Sequence, residues 1–175
     1  MKRMLCMILM LCLMCPWAGA EPILDMENPW TETTPEAMVE TIGLSFSLPE
    51  GAEEIAYRML ESEALAEVQF VLNGSQCTAR IRPSMGFEDI SGMYYDWTMV
   101  EDCEILWCPG KVMQTEADGQ YVALCLWYDV VPGLMYSVSV IGEISVLALA
   151  DVMFTPAQGD VDAQPGDILR QTLEG

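Results

Sequence analysis

No histidine occurs anywhere in the 175 residues. Ser-His-Asp and Cys-His nucleophile arrangements are therefore excluded, as is every zinc site that uses an imidazole. The chemistry that remains belongs to 27 acidic residues and seven cysteines. A pair of carboxylates can serve as acid and base, as in glycoside hydrolysis, and Asp89, Glu101 and Asp102 are candidates. A chain so rich in acids offers such pairs by chance, and none of the three is marked out by its neighbours. Asp160-Val161-Asp162 begins like a calcium loop, but no third ligand or glycine follows at the required spacing. A four-cysteine zinc site needs two close pairs, whereas only Cys103 and Cys108 lie near each other, and Cys77 and Cys125 stand apart. No cofactor motif is present.

Lys2 and Arg3 precede an apolar run, Met4 to Met14, and Ala18-Gly19-Ala20 supplies small residues at the positions a signal peptidase reads. Residues 1–20 are thus expected to be a signal peptide, cleaved between Ala20 and Glu21, giving a secreted or extracytoplasmic product. The run is shorter than the roughly 20 apolar residues of a membrane span, so no stable span should survive cleavage. The leader carries Cys6, Cys12 and Cys15, and with them the only C-x-x-C pattern. The residues before them, Leu5, Leu11 and Met14, are larger than lipoprotein processing prefers.

The remaining chain holds five basic residues, Arg58, Arg80, Arg82, Lys111 and Arg170, against all 27 acids. Such a balance opposes nucleic acid and anionic membrane surfaces. Four cysteines persist, Cys77, Cys103, Cys108 and Cys125, and an even number in an exported chain invites disulfides with three alternative connectivities. Buried free thiols acting as small apolar residues are the alternative.

Thr34, Pro35 and Gly43 bracket a short helix ending at Ile42. Leu44 to Leu48 alternates strictly, as an extended segment does. Asn73-Gly74 is the preferred two-residue hairpin turn. Pairing around it sets Phe70 opposite Cys77, Val68 opposite Ala79 and Ala66 opposite Ile81, all on one face. Glu67, Gln69, Thr78, Arg80 and Arg82 then share the other. Trp97 to Trp107, Lys111 to Thr115, Tyr121 to Tyr128 and Leu134 to Ile141 read as strands, with turns at Cys108-Pro109-Gly110, Asp118-Gly119 and Pro132-Gly133. Tyr121 to Tyr128 is apolar at nearly every position and should be covered on both faces, whereas Met135 to Val140 alternates and should leave one face to solvent. Gly142 to Phe154 approximates helical spacing, and residues 156–175 read as an acidic flexible tail.

The run Phe87 to Trp97, with Asp89-Ile90-Ser91-Gly92-Met93-Tyr94 at its centre, resembles a stretch recurrent in small exported proteins of Gram-positive anaerobes, a family of unknown function. Arg80 and Arg82 on the preceding strand, Ala123 and Trp127 on a later one, Tyr136-Ser137, Asn28-Pro29 and Leu48-Pro49 are similar to further parts of that pattern. The resemblance spans roughly residues 27–154 and implies architecture and location, not an activity. It implies a strand at Ile55–Leu60, where Ala52 to Leu60 by propensity alone would favour helix.

The expected fold is α+β: a meandering antiparallel sheet of about six to seven strands with a short N-terminal helix and a C-terminal helix, forming a single domain over residues 21–155. The aromatic cluster Tyr94, Tyr95 and Trp97, with Arg80 and Arg82, is the candidate recognition surface. Sheet packing for the aromatics and ion pairs for the arginines are the alternatives. The expected function is a non-enzymatic binding or sensing module for a protein, peptide or lipid-like ligand. A carboxylate-dependent hydrolase and a protein-interaction or inhibitor domain are the rivals.

Overall fold

The computed structural model describes residues 28–154. The expected signal peptide at residues 1–20, the expected tail at residues 156–175 and Asp160-Val161-Asp162 lie outside the described residues. Eight antiparallel strands form one sheet: β1 (Thr31–Glu32), β2 (Glu53–Leu60), β3 (Leu65–Leu72), β4 (Ser75–Pro83), β5 (Met99–Ile105), β6 (Cys108–Ala117), β7 (Gln120–Asp129) and β8 (Leu134–Ile141). Their spatial order is β1-β2-β3-β4-β8-β7-β6-β5. Two helices, α1 (Pro35–Ile42) and α2 (Val146–Phe154), complete the fold. The sheet is thus larger than six or seven strands, the additional one being the two-residue β1 on the edge of β2. Among the described residues no helix is long and apolar enough to cross a membrane.

Local chemistry accounts for most of these elements. Thr34 accepts a hydrogen bond from the Ala37 N–H, Pro35 opens α1, and Gly43 closes it in the left-handed conformation with its N–H on the Val39 carbonyl. Asn73 and Gly74 both take positive φ, and the β3–β4 register sets Phe70, Val68 and Ala66 opposite Cys77, Ala79 and Ile81. β2 covers the strand expected at Ile55–Leu60. Pairing along β3 and burial of Met59 override the helix propensity of its sequence.

Other expectations shift. Leu44 to Leu48 is not in the sheet; Phe46 is buried and Leu44 and Leu48 pack on the core while the serines face out, so the alternation records burial without a ladder. Cys108-Pro109-Gly110 is not a turn. It opens β6, where Pro109 pairs with Glu104, and the reversal is made by Leu106 and Trp107, both at positive φ. The buried stripe of α2 is Val146, Leu149, Ala150 and Met153, at helical spacing.

One face of the sheet carries the main core, into which Met38 of α1 and the α2 stripe pack beside Val68, Ala79, Val138 and Val140. Trp127 and Tyr136 stack there with centroids 5.0 Å apart. The opposite face is crossed by residues 84–98, whose Ile90, Met93 and Trp97 join Leu124, Leu126 and Met135 in a second cluster. β7 is consequently buried on both faces. Most of β8 is covered as well, so its alternation does not mark a solvent face: Ser137 is buried, and Ser139 and Ile141 are partly exposed.

The Leu106-Trp107 turn places non-glycine residues where Asn-Gly is favoured, and the Trp107 side chain is 91% exposed. Replacing the pair by Asn-Gly (L106N/W107G) should stabilise the domain by about 1–2 kcal/mol, read as a higher urea midpoint. A lower midpoint would show that Leu106 and Trp107 make contacts outweighing their backbone cost.

Candidate functional site

The uncovered part of the second face is positioned by charge. Glu67 of β3 is 0% exposed and lies between Arg58 of β2 and Arg80 of β4. Arg58 donates to its Oε1 through Nε (2.9 Å) and Nη2, and Arg80 Nε donates to Oε2 at 2.6 Å. Both guanidinium groups stack on Trp30, at 5.6 and 5.1 Å from its ring centroid. The Trp30 N–H is held by the Asn28 side chain, so Asn28-Pro29 sets the entry of that ring.

Arg80 also reaches the segment above the sheet, donating from Nη1 to the Ile90 carbonyl at 3.0 Å. The Asp-Ile-Ser-Gly stretch is shaped for this contact. Asp89 Oδ1 accepts from the Ser91 N–H and hydroxyl, and Ser91 Oγ accepts from the Met93 N–H, giving two successive side-chain turns. Ile90 is buried between them. Gly92 has φ +66°, and a Cβ there would stand 2.6 Å from Arg80 Nη1, so only glycine fits.

Arg82 fastens the same segment further along. Its Nε and Nη2 donate to the two oxygens of Glu88 (3.0 and 2.5 Å), and its Nη1 to Glu63 (2.9 Å). The Arg82 hydrogen bonds hold the Glu88 carboxyl below its ordinary value of 4.5. Arg80 and Arg82, candidates for recognition in sequence, are therefore internal staples.

These staples hold one wall of a cleft of about 520 Å³, within the size range of ligand sites. Its floor is Gln69, Gln76, Thr78, Ser139 and Ile141, and Met93, Tyr94 and Tyr95 form the wall. Gln69, Thr78 and Ser139 occupy one row across β3, β4 and β8. The side chains of Gln69, Gln76 and Thr78 have no hydrogen-bond partner among the described residues. Tyr94 is 93% exposed, while Tyr95 packs edge-on against Trp97 (5.6 Å, 61°). The aromatic cluster thus divides: Trp97 belongs to the second core, Tyr95 braces it, and Tyr94 stands exposed at the cleft.

Among the described residues no carboxylate lines the cleft. Asp89 is engaged by Ser91, and Glu101 and Asp102, as neighbours on β5, point to opposite sheet faces. Among the described residues no three His, Cys, Asp or Glu side chains are placed to hold a metal ion.

All four described cysteines are free. Cys103 and Cys125 are 4.0 Å apart at sulfur, approaching over Gly110 of the intervening strand β6, where a Cβ would stand 3.2 Å from the Cys103 Sγ. Two strand spacings of about 4.8 Å each separate their backbones, beyond the roughly 4.4–6.8 Å that a disulfide bridges. Burial pushes the Cys77 thiol up to about 11 and raises Cys103, Cys108 and Cys125 as well. None is an activated nucleophile.

Glu67, Arg58 and Trp30 were not legible as a unit, because their meeting depends on the β2–β3 register and on a strand of two residues. The polar row was half visible, since the hairpin register already puts Gln69 and Thr78 beside Arg80.

Glu67→Gln should cost about 3 kcal/mol, because it leaves two partly buried guanidinium groups without their buried counter-charge. Arg82→Gln, at a more exposed pair, should cost no more than about 1 kcal/mol. Equal shifts of the urea midpoint would contradict this ranking. In native protein, iodoacetamide should label Cys103 and Cys108 before the buried Cys77 and Cys125, and intact mass without reduction should show four free thiols in residues 21–175. Peptide mapping that finds Cys77 or Cys125 labelled first would refute the order.

No protein-family model, curated protein or solved structure matches this chain.

Proposed function

We propose that the chain is an exported, non-enzymatic binding module whose recognition site is the cleft between the β3–β4–β8 face and residues 91–95. The observation that carries this reading is the floor of the cleft. Among the described residues the amides of Gln69 and Gln76 and the hydroxyl of Thr78 stand there without hydrogen-bond partners, on a paired sheet, beside an exposed tyrosine. Rigid elements that present unsatisfied polar groups in a concavity are the ordinary makings of a ligand site. The leader-like residues 1–20 support export. A hydrolase would need two carboxylates at its site, and the cleft lining contains none.

A second reading, a protein-interaction domain, draws support from the end of the sheet where three connections meet. Met85, Trp107, Val130 and Val131 all expose most of their side chains there, and clustered exposed apolar residues mark interaction surfaces.

Mature protein should show a thermal shift with at least one component of envelope or secreted material. The variant Ser139→Trp (S139W), which fills the cleft, should lose that shift while keeping the wild-type midpoint without ligand. A shift that survives S139W and disappears in Trp107→Ser would transfer the function to the sheet end. Absence of any shift would remove the binding reading.

A further inference from the structure

We infer that the cleft takes a neutral oligosaccharide; the inference rests on the binding reading above and names its ligand. The first argument is charge. The one cation in the lining, Arg80, is committed to Glu67, the Ile90 carbonyl and the Trp30 ring. Among the described residues no acid lines the cleft, and a net charge of −20 repels anions from the whole molecule. Neither an anionic nor a cationic group finds a counter-charge there, so the ligand is neutral.

The second argument is hydrogen-bonding type. Gln69 and Gln76 each present one acceptor and two donors, the Thr78 hydroxyl can do both, and the Ser139 hydroxyl, which donates to the Thr78 carbonyl, presents an acceptor. Sugar hydroxyls also donate and accept, and adjacent pairs of them match a primary amide. Gln69, Thr78 and Ser139 lie across three adjacent strands, which gives a row roughly 10 Å long at about 4.8 Å per strand. A chain of sugars can lie along such a row, whereas a single small polar molecule leaves part of it unmatched.

Backbone accounting separates a sugar from a peptide. Extended peptides are captured by adding a strand to a free sheet edge. The floor here is β3, β4 and β8, each already paired on both sides, so it offers a peptide no backbone ladder. An acyl chain is disfavoured too, because it would bury unsatisfied amides. Aromatic rings complete the match. The apolar C–H face of a pyranose can lie on Tyr94, which stands exposed on the wall, while Trp97 fixes the neighbouring Tyr95.

The test uses the mature protein, residues 21–175, with maltohexaose, cellohexaose, xylohexaose and N-acetylchitohexaose as neutral probes. Trigalacturonate serves as the anionic probe and pentaalanine as the peptide. Nuclear magnetic resonance follows the side-chain amides of Gln69 and Gln76 and the ring of Tyr94. At least one neutral sugar should perturb all three, and trigalacturonate and pentaalanine none. Tyr94→Ala should weaken that sugar about tenfold, in line with an aromatic contact of about 1.4 kcal/mol. The double variant Gln69→Ala/Gln76→Ala should abolish binding with an unchanged urea midpoint. Perturbation of the cleft by pentaalanine or trigalacturonate alone overturns the ligand class and leaves the binding reading standing. Sugar binding that persists in the double variant overturns the location. Silence of the cleft signals towards every probe, together with no thermal shift from envelope material, overturns both.

Discussion

Glu67, buried between two arginines and roofed by Trp30, is the contact through which the molecule's separate parts are registered to one another. It joins β2, β3 and β4 side to side, and through the second donor of Arg80 it reaches the segment above the sheet. Buried ion pairs are poor sources of net stability, since desolvation offsets most of their attraction. Their value here lies in register. A one-residue slip of β3 would turn Glu67 into the apolar core beside Ala79 and Val138 and turn Val68 and Phe70 out of it. The triad therefore excludes the alternative pairings that an apolar β3 would otherwise tolerate.

The same contact explains why so acidic a chain has a neutral cleft. Arg58, Arg80 and Arg82 are all consumed in pairs or stacks. Each is satisfied by an acid that would otherwise face the same surface: Glu67 beneath, Glu88 and Glu63 at the margin. What remains uncovered between these pairs is amide, hydroxyl and the side chain of Ile141. The neutrality of the cleft is thus a by-product of fixing the segment, and the two features cannot be tuned independently.

How much of this was legible in the sequence follows from the range of each interaction. The α1 cap and the Asn73-Gly74 register depend on residues within a few positions of each other, and both agree with the structure. Full coverage of β7 also followed from its unbroken apolar run. The β5–β6 turn was misplaced because Leu106 and Trp107 carry no turn signal, while the adjacent Pro109-Gly110 carries a strong one. Leu44 to Leu48 shows the reverse limit: alternation reports which side chains are buried, not whether the backbone is paired. The triad and the cleft floor required three strand registers at once, and only one was written in a turn.

The strand order divides the sheet into two runs of sequential neighbours, β1 to β4 and β5 to β8, joined by the single ladder between β4 and β8. Every other ladder links elements adjacent in the strand sequence. The entropy of closing a long loop is therefore concentrated in one step, the meeting of residues 76–83 with 134–141. Residues 84–98 begin the connection that closes at that step, and Ser84 hydrogen-bonds Gly133 at its margin. In kinetic terms the cleft is a late structure. Its floor spans the seam between the two runs, so it exists only after both have formed and zipped together.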